Sequence, residues 1–471
     1  MTTGQSERLR TVHRQLIKAA QTWALRQGFD PGRARELRRE AILINHAHYI
    51  KTIPAYQRLA QEEGVSEVTD IETIKKKLMS TDDVFKSYNQ EWLEQADFGQ
   101  MNQWLSGIYH KRIDVDVQGV RSIDDWIERL RAAGTNTVYS SGTSGTFSFV
   151  PRDETDWALV KTANTVYLTP LLTYRKVGTA LVRLLVKPAI RLLSPDTLVK
   201  AVNKAGLPDF DGFFLGFRQG NMGNQVLIRE LAPLFRRHHF LYDIDLTAAA
   251  LRCLRWGAQT EEDRQLLGKL QKETIVERDS NYLKVIGHIK TSVEESQKVF
   301  LFGAPYQFKE LGEIMSGENQ RIALKKGSII LFGGGWKSFT GEKMDREALV
   351  RILSATFNIP PEMILEGYSM TEISVLMVRC DSGRFHIPPL IEPVVFDEEL
   401  SPLEGKNLSG TFGFLDSLAV SYPGFIISGD HVRLMDEECQ CGLCGPALVE
   451  IGRARNREVK GCGGIMTSFR A

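Results

Sequence analysis

Nine consecutive residues constrain this chain most: Val138-Tyr139-Ser140-Ser141-Gly142-Thr143-Ser144-Gly145-Thr146. An apolar extended pair runs into alternating small hydroxyl residues and glycines. Glycines let a backbone turn back and approach a ligand closely. Successive N–H groups in such a loop form an anion-binding concavity, and the hydroxyls add donors. The stretch therefore suits a polyphosphate, although an ordinary turn has the same composition. It is not a Walker loop, because no Gly-Lys-Ser/Thr follows. Ahead of it, Ser122 caps a helix that begins at Ile123-Asp124-Asp125 and ends at Ala133-Gly134. Helix, glycine, strand and glycine loop in that order predict an α/β fold.

The rest of the chain extends the pattern. Val226-Leu227-Ile228, the run from Lys298 to Phe302 and the run from Ser328 to Phe332 read as buried strands. Gly303 and Gly333-Gly334-Gly335 follow the last two, where open α/β sheets bind ligands. Arg346 to Phe357 reads as a helix with Leu349, Ile352, Leu353 and Phe357 on one side. After Pro388 shorter segments with turns predict a small β subdomain. Before about residue 120 the pattern is helical. Leu9, Val12, Leu16 and Ala20 keep helical spacing, Asp30-Pro31-Gly32 breaks it, and Pro54 opens a further helix. His46 and His48 lie two apart, point to different helix faces, and read as structural.

Charge and hydropathy narrow the function classes. With 59 basic and 58 acidic residues the net charge is +1, so no global electrostatic case exists for nucleic acid. The N-terminus has no apolar core for a signal peptide. No run reaches the roughly 18 uncharged apolar residues of a spanning helix. The longest apolar stretch, 178–193, carries Arg183, Lys187 and Arg191 on one face and reads as an amphipathic surface helix kinked at Pro188, with a membrane-surface or acyl-chain role as the alternative. A cytoplasmic location is the expectation.

Three further stretches offer chemistry. In Glu366-Gly367-Tyr368-Ser369-Met370-Thr371-Glu372, Glu372 suits Mg²⁺, a hard cation that binds through one or two carboxylates plus substrate phosphates. Tyr368 suits stacking on a nucleobase. In Ile427-Ser428-Gly429-Asp430, Asp430 can accept from both ribose hydroxyls. The cysteines supply the third. Cys380 with His386, and Cys439 with Cys441, make two short pairs of N/S ligands suited to a structural tetrahedral Zn²⁺. Cys444 makes a competing pair with Cys441.

In this order the motifs resemble the adenylate-forming superfamily, which includes acyl-CoA synthetases, and most closely its acyl-protein synthetase (LuxE-type) family. The matching residues are 140–146, Gly333-Gly334-Gly335-Trp336-Lys337, Tyr368 to Glu372, Asp430, Cys439-Gln440-Cys441-Gly442, Gly452-Arg453 and Gly461-Cys462. Ile53-Pro54-Ala55-Tyr56 and Val84-Phe85-Lys86 are similar to the family's N-terminal segments. The resemblance implies an adenylate-forming large-domain architecture, with sheets flanked by helices. It implies an ATP-binding set of Ser140, Ser141, Gly142, Thr143, Ser144, Gly145, Thr146, Gly334, Gly335, Tyr368, Asp430 and Arg453. Thr371 and Glu372 would hold the α-phosphate and Mg²⁺. Zinc-bearing relatives share the cysteine and histidine order, which favours Cys439 and Cys441 over Cys444.

The implied reaction has two steps. A carboxylic acid, fatty or aryl, attacks the α-phosphate of ATP and gives acyl-AMP; the acyl group then moves to a thiol. In LuxE-type proteins that thiol is a cysteine near the C-terminus, and Cys462 occupies the matching place. Arg453, Arg455, Arg457 and Lys460 precede it and favour the thiolate. The alternatives are transfer to an acyl carrier protein, CoA or an amine, a downstream reductase or transferase as partner, or a non-catalytic binding subunit.

Two departures stand out. Phe147-Ser148-Phe149-Val150 follows the loop where many relatives carry a lysine, and Arg152 offers a substitute cation. By the resemblance, the superfamily's mobile C-terminal domain is expected to be missing after Arg453. The expected organisation is a helical region over 1–120, an adenylation core over 121–455 with a zinc-clipped β subdomain at about 380–450, and a Gly/Cys-containing tail over 456–471. Phe213, Phe214, Phe217 and Trp336 are candidates for an acid pocket, but aromatics at such spacing are more often core, and that reading is preferred.

Overall fold

The computed structural model describes residues 3–66, 68–140, 146–174, 191–258, 260–336 and 342–453. Its first helix, Thr3–Leu25, buries Leu9, Val12, Leu16, Ala20 and Trp23. Asp30 then accepts from Arg33 N at 3.0 Å and caps the helix Pro31–Thr52, whose first residue is a proline that needs no partner there. Extended Ile53 separates it from the helix Pro54–Glu62. His46 is buried against Tyr56 Oη at 2.9 Å, and His48 against His110 at 3.1 Å, so both are structural.

These helices are stitched to the far end of the sequence. His13 Nε2 lies 2.8 Å from Ser417 O, and Asn45 donates to Ser417 O and Ala419 O. Trp23 Nε1 donates to Cys444 O at 2.8 Å, and Arg26 Nε to Cys441 O at 2.6 Å. A short strand, β1 (Ser80–Thr81), even joins the C-terminal sheet beside Ile426 and Ile427.

The helix Ile123–Ala132 is capped by Ser122, as its sequence predicts, and leads into a hairpin of β2 (Thr135–Ser140) and β3 (Ser148–Asp153). Next comes the α/β layer. Strands β4 (Leu207–Gln219), β5 (Phe235–Asp245), β6 (Lys298–Gly303), β7 (Ile329–Gly333) and β8 (Ile364–Tyr368) run parallel in the order β5-β4-β6-β7-β8. The short β9 (Met377–Val378) closes the β8 edge antiparallel. The intervening helices make this the α/β arrangement expected from the sequence.

The last third forms an antiparallel sheet. Strands β10 (Phe385–His386), β11 (Ile391–Phe396), β12 (Asn407–Asp416), β13 (Phe425–Met435) and β14 (Ala447–Arg453) follow the order β10-β14-β13-β12-β11. Its core contains Phe412, Phe414, Ile426 and Leu448 together with residues of the first helix.

Two local expectations are corrected. Val226-Leu227-Ile228 lies in the helix Gly223–Leu231, not in a strand. Gln225 Oε1 accepts from Met222 N and starts that helix, which overrides the strand preference of three apolar residues. The buried face of the helix Arg346–Phe357 is Leu349, Val350, Leu353 and Phe357; Ile352 is 38% exposed. Phe213, Phe214 and Phe217 are buried within the parallel sheet, in line with the core reading of these aromatics. The amphipathic stretch with Arg183 and Lys187 lies outside the described residues.

Candidate active site

The β2–β3 hairpin carries the phosphate-loop sequence. Ser140 and Ser148 are paired at its loop end. Ser141, Gly142, Thr143, Ser144 and Gly145 lie outside the described residues; the two sides of the loop's base do not. Thr146 Oγ1 accepts from Gln90 Nε2 at 2.6 Å, and Phe147 O from Tyr88 Oη at 3.0 Å. Tyr139 N donates to Asn221 O at 3.2 Å, which seats the hairpin at the carboxyl end of β4.

Opposite the hairpin stands the Thr371-Glu372 segment, which follows β8. Ser148 Oγ donates to Glu372 Oε1 at 3.1 Å. Glu372 is 8% exposed. Burial pushes its carboxyl above the ordinary glutamate value, and the negative charge of Asp82 adds to the rise; the Ser148 bond and the charge of Lys86 work against it. Lys86 is held by Asp82 at 3.3 Å and Asp83 at 3.0 Å. The segment's main chain is fixed as well. Thr371 O accepts from Arg152 Nη2 at 2.6 Å, and Glu372 O from Tyr422 Oη at 3.2 Å. Ser374 N donates to Asp416 Oδ2 at 2.8 Å. A Cβ placed on Gly223 would stand 3.2 Å from Thr371 Oγ1, so the N-terminus of the Gly223–Leu231 helix adjoins that hydroxyl.

Arg152 differs from its expected role. Its guanidinium is buried, bonded to Thr371 O and Tyr422 Oη, and stacked 4.8 Å over the Tyr422 ring. It does not project as a free cation that replaces the missing loop lysine.

A second group lies one strand away. Tyr368 Oη donates to Asp430 Oδ2 at 2.8 Å, and Arg453 Nη1 lies 3.0 Å from Asp430 Oδ1. Both carboxylate oxygens are thus engaged, and each keeps a second lone pair for a ligand hydroxyl. Burial, and then the Asp430 charge, hold the Tyr368 phenol well above its usual range, so it remains a donor. Gly334 and Gly335, at φ of 82° and 65°, turn the chain after β7. Gly333 is paired with Gly367, directly before Tyr368. A Cβ on Gly333 would come within 2.9 Å of Gly367 O, so the close approach of these turns needs glycine.

The sulfur ligands also converge. One ligand atom from each of Cys380, His386, Cys439 and Cys441 lies within 4.8 Å of the others. Cys380 Sγ and Cys439 Sγ are 3.8 Å apart, and Cys441 Sγ is 3.2 Å from His386 Nε2. A tetrahedral zinc with Zn–S bonds of about 2.3 Å gives an S···S edge of about 3.8 Å. The donor set fits that ion. Hydrogen bonding from Cys441 pulls the Cys380 thiol well below its usual range, with His386 adding to the effect, while the same contact pushes Cys441 up. His386 Nδ1 is buried and lacks a hydrogen-bond partner among the described residues, where a metal-bound histidine ordinarily has one. Cys444 is exposed and outside the group.

Sequence reasoning missed Ser148, Tyr422 and Asp416, which orient Glu372 and its segment. Their separations from Glu372 along the chain carry no periodic signal. Cys462 lies outside the described residues.

Comparison with known proteins matches residues 239–469 to the family model for acyl-protein synthetase, LuxE. The long-chain-fatty-acid–luciferin-component ligase of Vibrio harveyi is 25% identical over 191 residues, covering 40% of this chain and 50% of that protein. The protein of that name from Aliivibrio fischeri is 27% identical over 196 residues, covering 40% of this chain and 51% of its own. The chain thus spans about half the length of the curated relatives it matches. Among solved structures, an open conformation of 2-hydroxyisobutyryl-CoA ligase aligns at a TM-score of 0.49 and 11% identity, covering 92% of this chain and 72% of that one. The luciferase-like enzyme of the Zophobas morio mealworm aligns at 0.34 and 12%, covering 67% and 56%. Scores of that size assign no activity. The family match spans Thr371, Glu372, Asp430, the Cys-His group and Cys462, and over residues 239–469 the chain is similar to the acyl-protein synthetase LuxE family.

Proposed function

We propose that this protein activates a carboxylic acid with ATP and passes the acyl group to a thiol. The observation that carries the reading is the bond from Ser148 to Glu372, which brings the base of the phosphate-loop hairpin against the Thr-Glu segment. In the first step a carboxylate oxygen of the acid attacks the α-phosphorus, the bond to the bridging oxygen of pyrophosphate breaks, and acyl-AMP forms. Little covalent chemistry is asked of the protein; positioning and charge stabilisation do most of it. The loop at 140–146 would cradle the departing pyrophosphate. Thr371 would donate to the α-phosphate, Asp430 would accept from the ribose, and Tyr368 and Gly334-Gly335 would flank the base. Arg453 would steady Asp430. Mg²⁺ would supply charge neutralisation at the phosphates, with Glu372 as its protein ligand.

In the second step a thiolate attacks the acyl carbonyl, AMP leaves, and a thioester forms. Cys462 is the acceptor that the family suggests; an acyl carrier protein, CoA or an amine would be served by the same intermediate. The names of the two relatives favour a long-chain fatty acid over an aryl acid. Zn²⁺ at Cys380, His386, Cys439 and Cys441 would be structural. Phe385, next to His386, packs on Tyr368 with ring centroids 6.1 Å apart, and its strand pairs with the one that carries Arg453. The ion would therefore brace the ribose end of the site. No helix among the described residues is long and apolar enough to cross a membrane.

ATP–pyrophosphate exchange with a panel of fatty and aryl acids tests the reading. Acid-dependent exchange supports it. Nucleotide binding without exchange for any acid would favour a binding subunit. A Cys462→Ser variant that still becomes labelled through a thioester would exclude Cys462 as the acceptor.

A further inference from the structure

Among the described residues Arg152 is the one arginine or lysine that is buried, at 3% exposure. Burying a cation is costly unless it is paired. No carboxylate lies within ion-pair distance of it among the described residues. Its Nη2 donates to a carbonyl and a phenol, its face meets the Tyr422 ring, and its Nε has no hydrogen-bond partner there. An apolar residue would fill that volume at lower cost, so the bonds it makes must matter.

Those bonds have a geometry. Ser148, Val150 and Arg152 share one face of β3, because alternate residues on a strand point the same way. Ser148 and Arg152 stand about 13 Å apart along it. Ser148 grips the Glu372 side chain and Arg152 grips the Thr371 carbonyl, two adjacent residues held from the two ends of one strand. Tyr422 closes the triangle, since its hydroxyl contacts both Arg152 and Glu372 O. Thr371 and Glu372 thus cannot shift without the hairpin that carries the phosphate loop.

We propose that Arg152 is a positioning residue that locks the Thr371-Glu372 segment to the phosphate-loop hairpin, so that both reach the same nucleotide in register. The proposal rests on the functional reading above for its kinetic consequence, but not for its structural one. A misplacement of about 1 Å at reacting groups can cost about a hundredfold in rate.

The test pairs exchange kinetics with amide hydrogen exchange on the full chain. Arg152→Ala should lower kcat for pyrophosphate exchange about a hundredfold, leave KM for the acid within about twofold, and raise the Mg²⁺ concentration needed for half-maximal rate. Arg152→Lys, which can still reach the carbonyl, should recover about tenfold of that loss. Exchange of the Ile373 and Ser374 amides should quicken about tenfold or more in Arg152→Ala, with remote amides unchanged. Kinetics and amide exchange both equal to wild type would overturn the proposal. If Arg152→Ala fails to fold, Arg152→Lys and Tyr422→Phe decide on the same readouts. If wild-type protein shows no exchange with any acid, the functional reading fails, and unaltered amide exchange in the variant would separately refute the lock.

Discussion

Ser148 Oγ and Glu372 Oε1 lie 3.1 Å apart although 224 residues separate them along the chain. That bond joins the strand leaving the proposed phosphate loop to the carboxylate proposed as the Mg²⁺ ligand. Replacing Ser148 by Ala removes the donor and leaves a buried carboxyl oxygen without it. The expected loss of stability is about 1–3 kcal/mol, read from urea midpoints. The Mg²⁺ requirement for exchange should rise in the same variant.

Asp430 sits between Tyr368 and Arg453. Asp430→Asn keeps the shape and one acceptor but lessens the pull on ligand hydroxyls. KM for ATP should rise about tenfold, with KM for the acid unchanged. An unchanged ATP KM would remove Asp430 from the nucleotide site.

The Cys-His group predicts one zinc per chain in purified protein, measured by metal analysis. Because metal binding adds to folding free energy, stripping the zinc should lower the melting temperature, and zinc but not magnesium should restore it. Cys439→Ser should have the same effect, whereas Cys444→Ser should not. A zinc content far below one per chain would refute the site.

Asp156 is fully buried and accepts from Val420 N, Ser421 N and Ser421 Oγ. Burial raises its carboxyl from 3.8 to about 6, and the charge of Asp153 adds to the rise. A raised native pKa means that the folded state holds this proton longer than the unfolded chain does. Its contribution is therefore fully present below about pH 4 and is lost as pH rises through about 6. The stability difference between wild type and Asp156→Asn should shift by about 3 kcal/mol against wild type across that window. Urea denaturation at stepped pH reads it, and a flat difference would contradict the assignment.

Asp211, with no exposed surface, is bonded by Arg236, Arg237 and Ser292. Burial opposes its charge, yet those three partners outweigh burial and hold the carboxyl well below its usual range. Asp211→Ala should cost about 1–3 kcal/mol by removing one of the two carboxylates that Arg236 and Arg237 share, Glu295 being the other, and the acceptor of Ser292 Oγ. The stabilisation should be present above the ordinary carboxylate pKa and fade as pH falls below it. Circular dichroism melts of the two proteins test both parts.

The local signals of this fold were readable where they were contiguous. Ser122, Asp30 and Pro54 mark helix starts by capping chemistry, and β6 and β7 announce themselves as uninterrupted apolar runs. β5 escapes such reading because Arg236, Arg237 and His238 interrupt it; their partners, Asp211 and Glu295, come from other elements. Residue chemistry and spacing singled out Glu372, Asp430 and the Cys-His group, and the fold brings the four Cys-His ligand atoms together. The supports of these residues were not legible. Arg152 reads in sequence as a cation near a phosphate loop, and only strand register shows that its side chain meets Thr371 and Tyr422. Tyr422 and Asp416 sit in the segment between β12 and β13 or at its edge, where no periodicity points to Glu372.

The central claim is that Glu372 and the phosphate-loop hairpin serve one adenylate-forming site. Pyrophosphate exchange with long-chain fatty acids, in wild type and in Glu372→Gln, tests it most directly. The account predicts acid-dependent exchange in wild type and a loss of about a hundredfold or more in the variant. Exchange absent with every acid, or equal in the two proteins, would contradict it.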